Sequence, residues 1–246
     1  MVALFLDVQG AFPNTVKMQL IHNLRMWQVP ICFTDLIAHK LTGRSTHLWF
    51  DDFMSDLIPI DNGTTQGDLD SMLLYGPYNA PLIDIAASPD ELTSGFVDDS
   101  MMLAVGDSLN ECHDKLKDMM ERPGGSFDWS TMHKSPYEMS KIGLMNFPRT
   151  PRDNPPGDLI LNKVNPGGSI STSTVSVLSS YKYLSVIFEL SLQWKLQQAK
   201  AHASATFWTL WIWCLSRTTS SLRPEDVRQL YMMVSVPAFT YGVEVW

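Results

Sequence analysis

The chain has 246 residues, of which 45% are hydrophobic and 18% are charged. This ordinary globular composition can supply a sizeable core and excludes a chain that is disordered throughout. No apolar run approaches the roughly 18 residues that a membrane span needs, so we expect no membrane partner. The length predicts one large domain or a core with an appendage.

The net charge of −8 argues at first against a nucleic-acid partner, but the charge is unevenly distributed. Residues 1–100 carry 13 acidic and four basic side chains, whereas residues 101–246 carry 13 acidic and 14 basic ones. Clustered carboxylates in an apolar setting can bind divalent cations, although a solvated acidic surface is the more common case. The three cysteines are widely spaced, which predicts a reducing, intracellular location without a disulfide framework or a structural zinc site.

Hydrophobic patterning predicts strands and helices alternating in the first half of the chain. The apolar run at 2–7 has no helical period and is typical of a buried strand. Apolar runs on both sides of an acidic pair predict a hairpin with strands at 93–97 and 100–105. Helices are predicted over 15–28, 33–41 and 71–86, and two short strands around a polar turn are predicted within 46–60.

The second half is predicted to begin with an amphipathic helix over 109–120. Residues 148–180 are rich in proline, glycine and serine, which indicates a loop or a loose hairpin and the best candidate boundary. A strand-like run follows at 181–190, and the chain is helical in pattern and rich in tryptophan from residue 193 onward. Helix is therefore predicted to exceed strand.

Three carboxylates are the strongest candidates for chemistry. Asp7 ends an apolar strand, and Asp98 and Asp99 lie where the predicted hairpin turns. Aspartates that share one or two Mg²⁺ ions about 4 Å apart carry out in-line phosphoryl transfer. A solvated acidic turn is the more common explanation of an isolated Asp-Asp pair, so spacing alone leaves both interpretations open.

Five segments occur in the order of known polymerase motifs. Residues 5–12 (FLDVQGAF) resemble motif A of reverse transcriptases, residues 63–75 (GTTQGDLDSMLLY) resemble motif B, and residues 95–99 (GFVDD) resemble motif C. Ser140-Lys141 is similar to motif D, and residues 181–188 (YKYLSVIF) are similar to motif E, the primer grip. Over essentially its whole length, the chain resembles the reverse transcriptase domain of a non-LTR, or LINE-type, retrotransposon.

This resemblance implies an α+β fold, in which a reverse-transcriptase-type palm with a small antiparallel sheet backed by helices precedes a helical thumb. Residues 1–147 would form the palm with motifs A to D. Residues 148–190 would form the loop region and the primer-grip strands, and residues 191–246 the thumb or connection. Because the chain begins almost at motif A, we expect the fingers region to be missing. The sequence leaves open whether a separate segment or polypeptide supplies it.

The resemblance also implies an RNA-directed DNA polymerase that transfers nucleotides onto a primer 3′ end with two Mg²⁺ ions, for which Mn²⁺ can substitute. Its partners would be an RNA template, a DNA primer and deoxynucleoside triphosphates, and a nuclear location would be compatible with it. Asp7 and Asp98 would bind both metals, Asp99 would support them, and Lys141 would lie near the leaving pyrophosphate. The remaining implied residues are Phe12 under the incoming sugar, Gln66 and Gly67 beside the nascent base pair, and Tyr183 and Leu184 at the primer end.

The same residues also have simpler interpretations, and the motifs contain departures. In sequence, a site residue cannot be told from a structural residue of the same type. Phe12 could be a core residue, Gly67 a turn residue, Lys141 a surface residue, and Tyr183 and Leu184 core strand residues. Motif B has Thr65, Leu69 and Asp70 in place of Pro, Pro and Leu, and Asp70 is expected to bury a charge near a helix start. Pro13 stands where Asp is common, and Ser185 stands where the primer grip usually has Gly.

These departures leave alternative functions open. We expect the isolated chain to be a weak or inactive polymerase. The alternative is a non-catalytic retroelement remnant with at most weak nucleic-acid binding. A metal-dependent nuclease or other phosphoryl hydrolase could use the same acids, but it would need neither motif B nor motif E.

Overall fold

The computed structural model describes residues 1–65, 67–150, 156–217 and 222–246. Within these ranges the chain forms two compact units, residues 1–178 and residues 179–246. This boundary differs from the limits of the three segments named from the motifs. The assignment of those segments as palm, primer-grip region and thumb stays a prediction.

The first unit alternates short strands with helices. Its strands are β1 Val2–Asp7, β2 Arg44–Thr46, β3 Trp49–Phe50, β4 Phe53–Met54, β5 Ile58–Ile60, β6 Glu91–Phe96, β7 Asp99–Ala104, β8 Gly143–Asn146, β9 Leu159–Val164 and β10 Ile170–Val175. Its helices are α1 Ala11–Asn14, α2 Lys17–Met26, α3 Ile31–Lys40, α4 Leu69–Ile83, α5 Leu109–Glu121 and α6 Ser126–Met132.

A four-stranded antiparallel sheet organises the first unit, with strand order β6-β7-β1-β8. We call it the acid-bearing sheet, because β1 ends at Asp7 and β7 begins at Asp99. Every residue from Val2 to Leu6 is at most 2% exposed. Successive strand residues point to opposite faces, so both faces of β1 are covered from Val2 to Leu6, and each of these five residues is apolar.

Helix α5 packs against β1, β7 and β9. Two hydrogen bonds cap its N-terminus: the Ser108 hydroxyl accepts from the Glu111 backbone N–H, and the Glu111 carboxylate accepts from the N–H of Asp107, the residue before the N-cap. Leu109, Cys112, Leu116, Met119 and Met120 are buried at a spacing of three or four residues and supply the packing face.

The remaining strands of the first unit form three small antiparallel pairs, β9 with β10, β2 with β5, and β3 with β4. The β9–β10 hairpin lies in the region predicted to be a loop or loose hairpin. The pairs β2–β5 and β3–β4 occupy the region where two strands around a polar turn were predicted, so one long hairpin with an interrupted ladder replaces the simple one.

The second unit begins with a hairpin and continues as helices. Strands β11 Ser180–Tyr183 and β12 Val186–Glu189 pair antiparallel, so the run predicted as one strand-like segment turns back on itself. The helices are α7 Lys195–Ser216, α8 Pro224–Leu230 and α9 Val236–Thr240, with a π-helical segment Tyr231–Ser235 between the last two.

The predicted α+β class with small antiparallel sheets and helices is confirmed, and helices hold more of the described residues than strands do. The three cysteines are free thiols. None of the helices in the described ranges has the length and apolar character to cross a membrane.

Candidate active site

The acid-bearing sheet brings the predicted aspartates to one end of two adjacent strands. The antiparallel register places Asp7 at the end of β1 directly opposite Asp99 at the start of β7. Directly opposed residues lie on the same face of a sheet, so these two side chains are neighbours. Asp98 lies in the two-residue turn that joins β6 to β7. The two acid-bearing strands are therefore adjacent and antiparallel, and Asp99 rather than Asp98 is in register with Asp7.

These carboxylates share one electrostatic environment. Partial burial raises the pKa of Asp99, the charges of Asp98 and Asp7 raise it further, and the Lys141 ammonium opposes the rise. Lys141 Nζ lies 2.8 Å from Asp7 Oδ2, and this hydrogen bond raises the pKa of Lys141. The motif D lysine thus lies with the acids, and a cation offsets part of their mutual repulsion.

The donor chemistry of this cluster fits a divalent cation. The described ranges contain no group of three or more His, Cys, Asp or Glu side chains arranged to hold a metal. Mg²⁺, however, usually keeps several waters and takes one or two protein carboxylates together with substrate phosphates. Asp7 and Asp99 supply two opposed carboxylates of this kind, and their repulsion favours a bound cation.

The turn that carries Asp98 has an unusual backbone. Val97 has φ 57, and a β-branched residue in this left-handed region is a conformational outlier of the sort that clusters at functional sites. Asn79 Nδ2 donates to the Val97 carbonyl at 2.8 Å and holds the turn against α4. Sequence reasoning missed Asn79, whose signal is a lone amide inside the apolar run of a helix.

Motif B packs directly against the turn that follows motif A. The Gly63 N–H donates to the Thr15 carbonyl at 2.7 Å, and the Thr64 N–H donates to the Phe12 carbonyl at 2.8 Å. Gly63 has φ +83, and a Cβ there would lie 2.5 Å from the Pro13 carbonyl oxygen. Gly63 is therefore the contact point of the two motifs, a role that sequence reasoning did not assign to it.

The residues predicted to contact the nucleotide are only partly described. The half-buried Phe12 has its ring centroid 5.4 Å from that of Tyr75, which is fully buried in α4. Gly67 has φ +88, and a Cβ there would meet no described atom within 4 Å. Gln66 lies outside the described residues, and the nucleotide contacts of all three predicted residues stay predictions.

The expectation that Asp70 buries a charge is wrong. Its side chain is 63% exposed in the first turn of α4, and Lys40 Nζ lies 2.7 Å from its Oδ2. Lys40 Nζ also lies 2.8 Å from Asp68 Oδ2, and Asp68 caps the helix by accepting from the Asp70 N–H. An acid in the first turn is favoured by the helix dipole, which explains why the substitution is tolerated.

The predicted primer-grip residues lie in the second unit, at the turn between β11 and β12. Tyr183 is buried, whereas Leu184 and Ser185 form the turn with φ 46 and 67. The Tyr241 hydroxyl donates to the Leu184 carbonyl at 2.9 Å, and the Lys200 ammonium donates to the Ser185 carbonyl. The position where the family pattern has glycine is thus a left-handed turn residue, occupied here by serine.

Comparisons with known proteins agree with the motifs. No protein-family model matches the chain. The chain is 23% identical over 248 residues to the RNA-directed DNA polymerase from mobile element jockey of Drosophila funebris. The aligned region covers 98% of this chain and 25% of that polymerase. The chain therefore spans about a quarter of the length of this curated relative.

A solved telomerase structure is similar to the chain in fold. A telomerase from Candida tropicalis, solved in complex with a fragment of telomeric RNA, has a TM-score of 0.50 and 10% identity, and covers 98% of this chain and 39% of that chain. A telomerase from Candida albicans has a TM-score of 0.38 and 12% identity, and covers 99% of this chain and 41% of that chain. The resemblance to non-LTR retrotransposon reverse transcriptases is confirmed: this chain is similar over nearly its whole length to the polymerase of the jockey element.

Proposed function

We propose that this chain is the palm and thumb part of an RNA-directed DNA polymerase, with Asp7, Asp98 and Asp99 as its metal-binding and catalytic residues. The observation that carries the proposal is the register of β1 and β7, which opposes Asp7 and Asp99 beside the Asp98 turn. The similarity to the jockey polymerase supports the same reaction class. In this assignment the first unit holds the palm and the second unit the primer-grip hairpin and thumb helices.

The chain's own residues would position the reactants. Bound Mg²⁺, or Mn²⁺ in its place, would supply Lewis-acid activation of the primer 3′ hydroxyl and neutralise phosphate charge. Asp7 and Asp99 hold their carboxylates on neighbouring strands, so little reorganisation is needed during the reaction. The Lys141 ammonium, which pairs with Asp7, would stabilise the charge that develops on the leaving pyrophosphate.

The substrate contacts follow from the motif positions. Phe12 would lie under the sugar of the deoxynucleoside triphosphate, where a ring leaves no room for a 2′ hydroxyl. Gln66 and Gly67 would contact the nascent base pair, since the open space beside Gly67 allows close backbone approach. Tyr183 and Leu184 would seat the DNA primer end on its RNA template.

We expect polymerisation by the isolated chain to be weak. Binding to a nucleic-acid backbone depends on basic residues that release counterions, and the chain carries a net charge of −8. The Lys141 ammonium already pairs with Asp7, so it must be shared between that carboxylate and a substrate phosphate. A non-catalytic remnant with weak nucleic-acid binding is the competing outcome of the experiment below.

Single-nucleotide incorporation tests the proposal without requiring processive synthesis. A labelled DNA primer on an RNA template is incubated with one deoxynucleotide and Mg²⁺ or Mn²⁺. We expect incorporation by the unaltered chain and its loss in Asp7→Asn and Asp98→Asn. The matched control is Asp114→Asn, which removes an exposed acid from α5.

Metal binding provides an independent measurement. Electron paramagnetic resonance of Mn²⁺ should show binding that weakens in Asp7→Asn and Asp99→Asn but not in Asp114→Asn. Incorporation that survives Asp98→Asn would contradict the assignment of the acids. Binding of the primed template without incorporation under either metal would establish the non-catalytic alternative.

A further inference from the structure

A continuous series of aromatic rings lies behind Phe12. The Phe12 ring centroid is 5.4 Å from that of Tyr75, which is 5.5 Å from that of Tyr78. Tyr78 meets His133 edge to face at 5.1 Å, and His133 stacks on Trp129 at 4.8 Å. The series joins the motif A turn to α4 and then to α6, which are separate elements of the first unit.

The deeper rings of this series are fixed in place. Tyr75 and Tyr78 are both 0% exposed. The Tyr78 hydroxyl accepts from the Val16 N–H at 3.1 Å and donates to the His133 carbonyl. A close-packed interior leaves a buried ring no space to move without opening a cavity. Of the five rings, the half-buried Phe12 is the one with a free side, and Tyr75 limits its movement inward.

We propose that Tyr75 is a positioning residue that sets the sugar specificity of the site by fixing the ring of Phe12. This inference rests on the proposed function, in which Phe12 lies under the incoming sugar. An apolar pocket rejects a substrate with one added hydroxyl only weakly. A ring can exclude the 2′ hydroxyl more strongly if neighbouring residues prevent it from moving away. Positioning within about 0.5 Å is needed for such a site, and it comes from residues behind the contact.

The location of Tyr75 on α4 connects this support to motif B. The helix begins at Leu69, just after Gly67, and Tyr75 follows within its second turn. The same helix therefore directly follows the loop proposed to contact the base pair and carries the ring that supports Phe12. Helix α4 would thus set the distance between the Gly67 loop, which would contact the base pair, and the Phe12 ring, which would contact the sugar.

Three variants separate the ring of Tyr75 from its hydroxyl and from Phe12 itself. Tyr75→Leu removes the supporting ring, Tyr75→Phe keeps the ring and removes the hydroxyl, and Phe12→Val removes the proposed contact. For each variant, kcat and KM are measured for single incorporation of a deoxynucleotide and of the matching ribonucleotide. Equilibrium binding of the two nucleotides with Mn²⁺, followed by fluorescence of a labelled analogue, gives a second readout.

We expect Tyr75→Leu to lower the preference for deoxynucleotide by about tenfold or more. The change should arise from a lower KM and tighter binding for the ribonucleotide, a gain that a merely destabilised protein would not show. Tyr75→Phe should keep the preference of the unaltered chain. If Tyr75→Leu does not fold, Tyr75→Met keeps a large apolar side chain without a ring and should show the same relaxed preference.

The proposed role of Tyr75 and the proposed role of Phe12 can be disproved separately. If Phe12→Val relaxes the preference while Tyr75→Leu and Tyr75→Met keep it, the role of Tyr75 is overturned and the function of Phe12 stands. An equal loss for both nucleotides in the Tyr75 variants would also overturn that role. If Phe12→Val leaves the preference unchanged, the assignment of Phe12 in the proposed function fails first.

Discussion

The acid-bearing sheet and the β11–β12 hairpin hold their motif residues by different means. Strand β1 lies between two other strands and is buried on both faces from Val2 to Leu6. The hairpin has only two strands, and its turn residues Leu184 and Ser185 are both left-handed. Packing places the acids, whereas hydrogen bonds from Lys200 and Tyr241 hold the turn.

The difference explains which changes each region can accept. In the sheet, burial of Val2 to Leu6 fixes the backbone at the end of β1. The residue at the strand end can therefore be substituted without moving the backbone. In the hairpin, two left-handed residues carry a conformational cost of about 1–2 kcal/mol each, offset by surrounding contacts. The first region should therefore respond most to added atoms, and the second to relief of backbone strain.

The largest effect is expected in the first unit at a close backbone contact outside the acid-bearing sheet. Gly63→Ala would place a Cβ 2.5 Å from the Pro13 carbonyl oxygen at φ +83, and should lower the free energy of unfolding by roughly 2–5 kcal/mol. Gly67→Ala is the matched control, since its φ is +88 but no described atom lies within 4 Å. It should cost about 1–2 kcal/mol in urea denaturation. Equal losses would show that packing at Gly63 does not matter.

The buried aromatic series predicts a pH dependence. Burial lowers the pKa of His133, and a hydrogen bond to the Trp129 carbonyl offsets part of that effect. Because the unfolded chain binds the proton more readily, the contribution of His133 to stability is full above about pH 6.5. It falls by at most about 1.4 kcal/mol per pH unit below that value.

His133→Phe keeps a ring against Trp129 and removes the titrating group. Thermal unfolding between pH 7 and about pH 5 should therefore lose part of its acid sensitivity in this variant. An identical pH slope in His133→Phe and the unaltered chain would rule out a lowered pKa at this position.

A substitution in the β11–β12 hairpin is expected to raise the free energy of unfolding, by less than Gly63→Ala lowers it. Ser185 has φ 67, so Ser185→Gly relieves the left-handed penalty but increases the freedom of the unfolded chain. The net result should be a gain of about 0.5–1 kcal/mol in the free energy of unfolding. Ser185→Ala is the control, because it removes the hydroxyl and keeps the Cβ. A gain in both variants would attribute the effect to the hydroxyl.

The smallest effect is expected at the exposed pair of ion contacts at the N-terminus of α4. Lys40→Met removes the ammonium that lies between Asp68 and Asp70. Exposed ion pairs contribute little and are screened by salt, so the change in melting temperature should be small and should disappear near about 1 M salt. A loss that persists at high salt would mean that Lys40 acts through packing of its aliphatic stem.

The amino-acid sequence by itself determined many of the local elements and singled out the candidate acids. An unbroken apolar run at 2–6 before Asp7 predicts a buried strand, and apolar residues on both sides of Asp98 and Asp99 predict the hairpin. Both depend on residues adjacent in the chain, so composition and period suffice. The order of the motifs was equally readable and identified the relatives, because residue type and spacing do not depend on how the elements pack.

Tertiary structure alone decided which of these residues meet. Lys141 pairs with Asp7 across 134 positions, and the register puts Asp99 rather than Asp98 opposite Asp7. Asp70 is exposed rather than buried, and Tyr75 lies behind Phe12. Such contacts depend on strand register and on the space between packed elements. A one-residue slip of register would turn the same side chains to the other face, and no local pattern in the sequence encodes that choice.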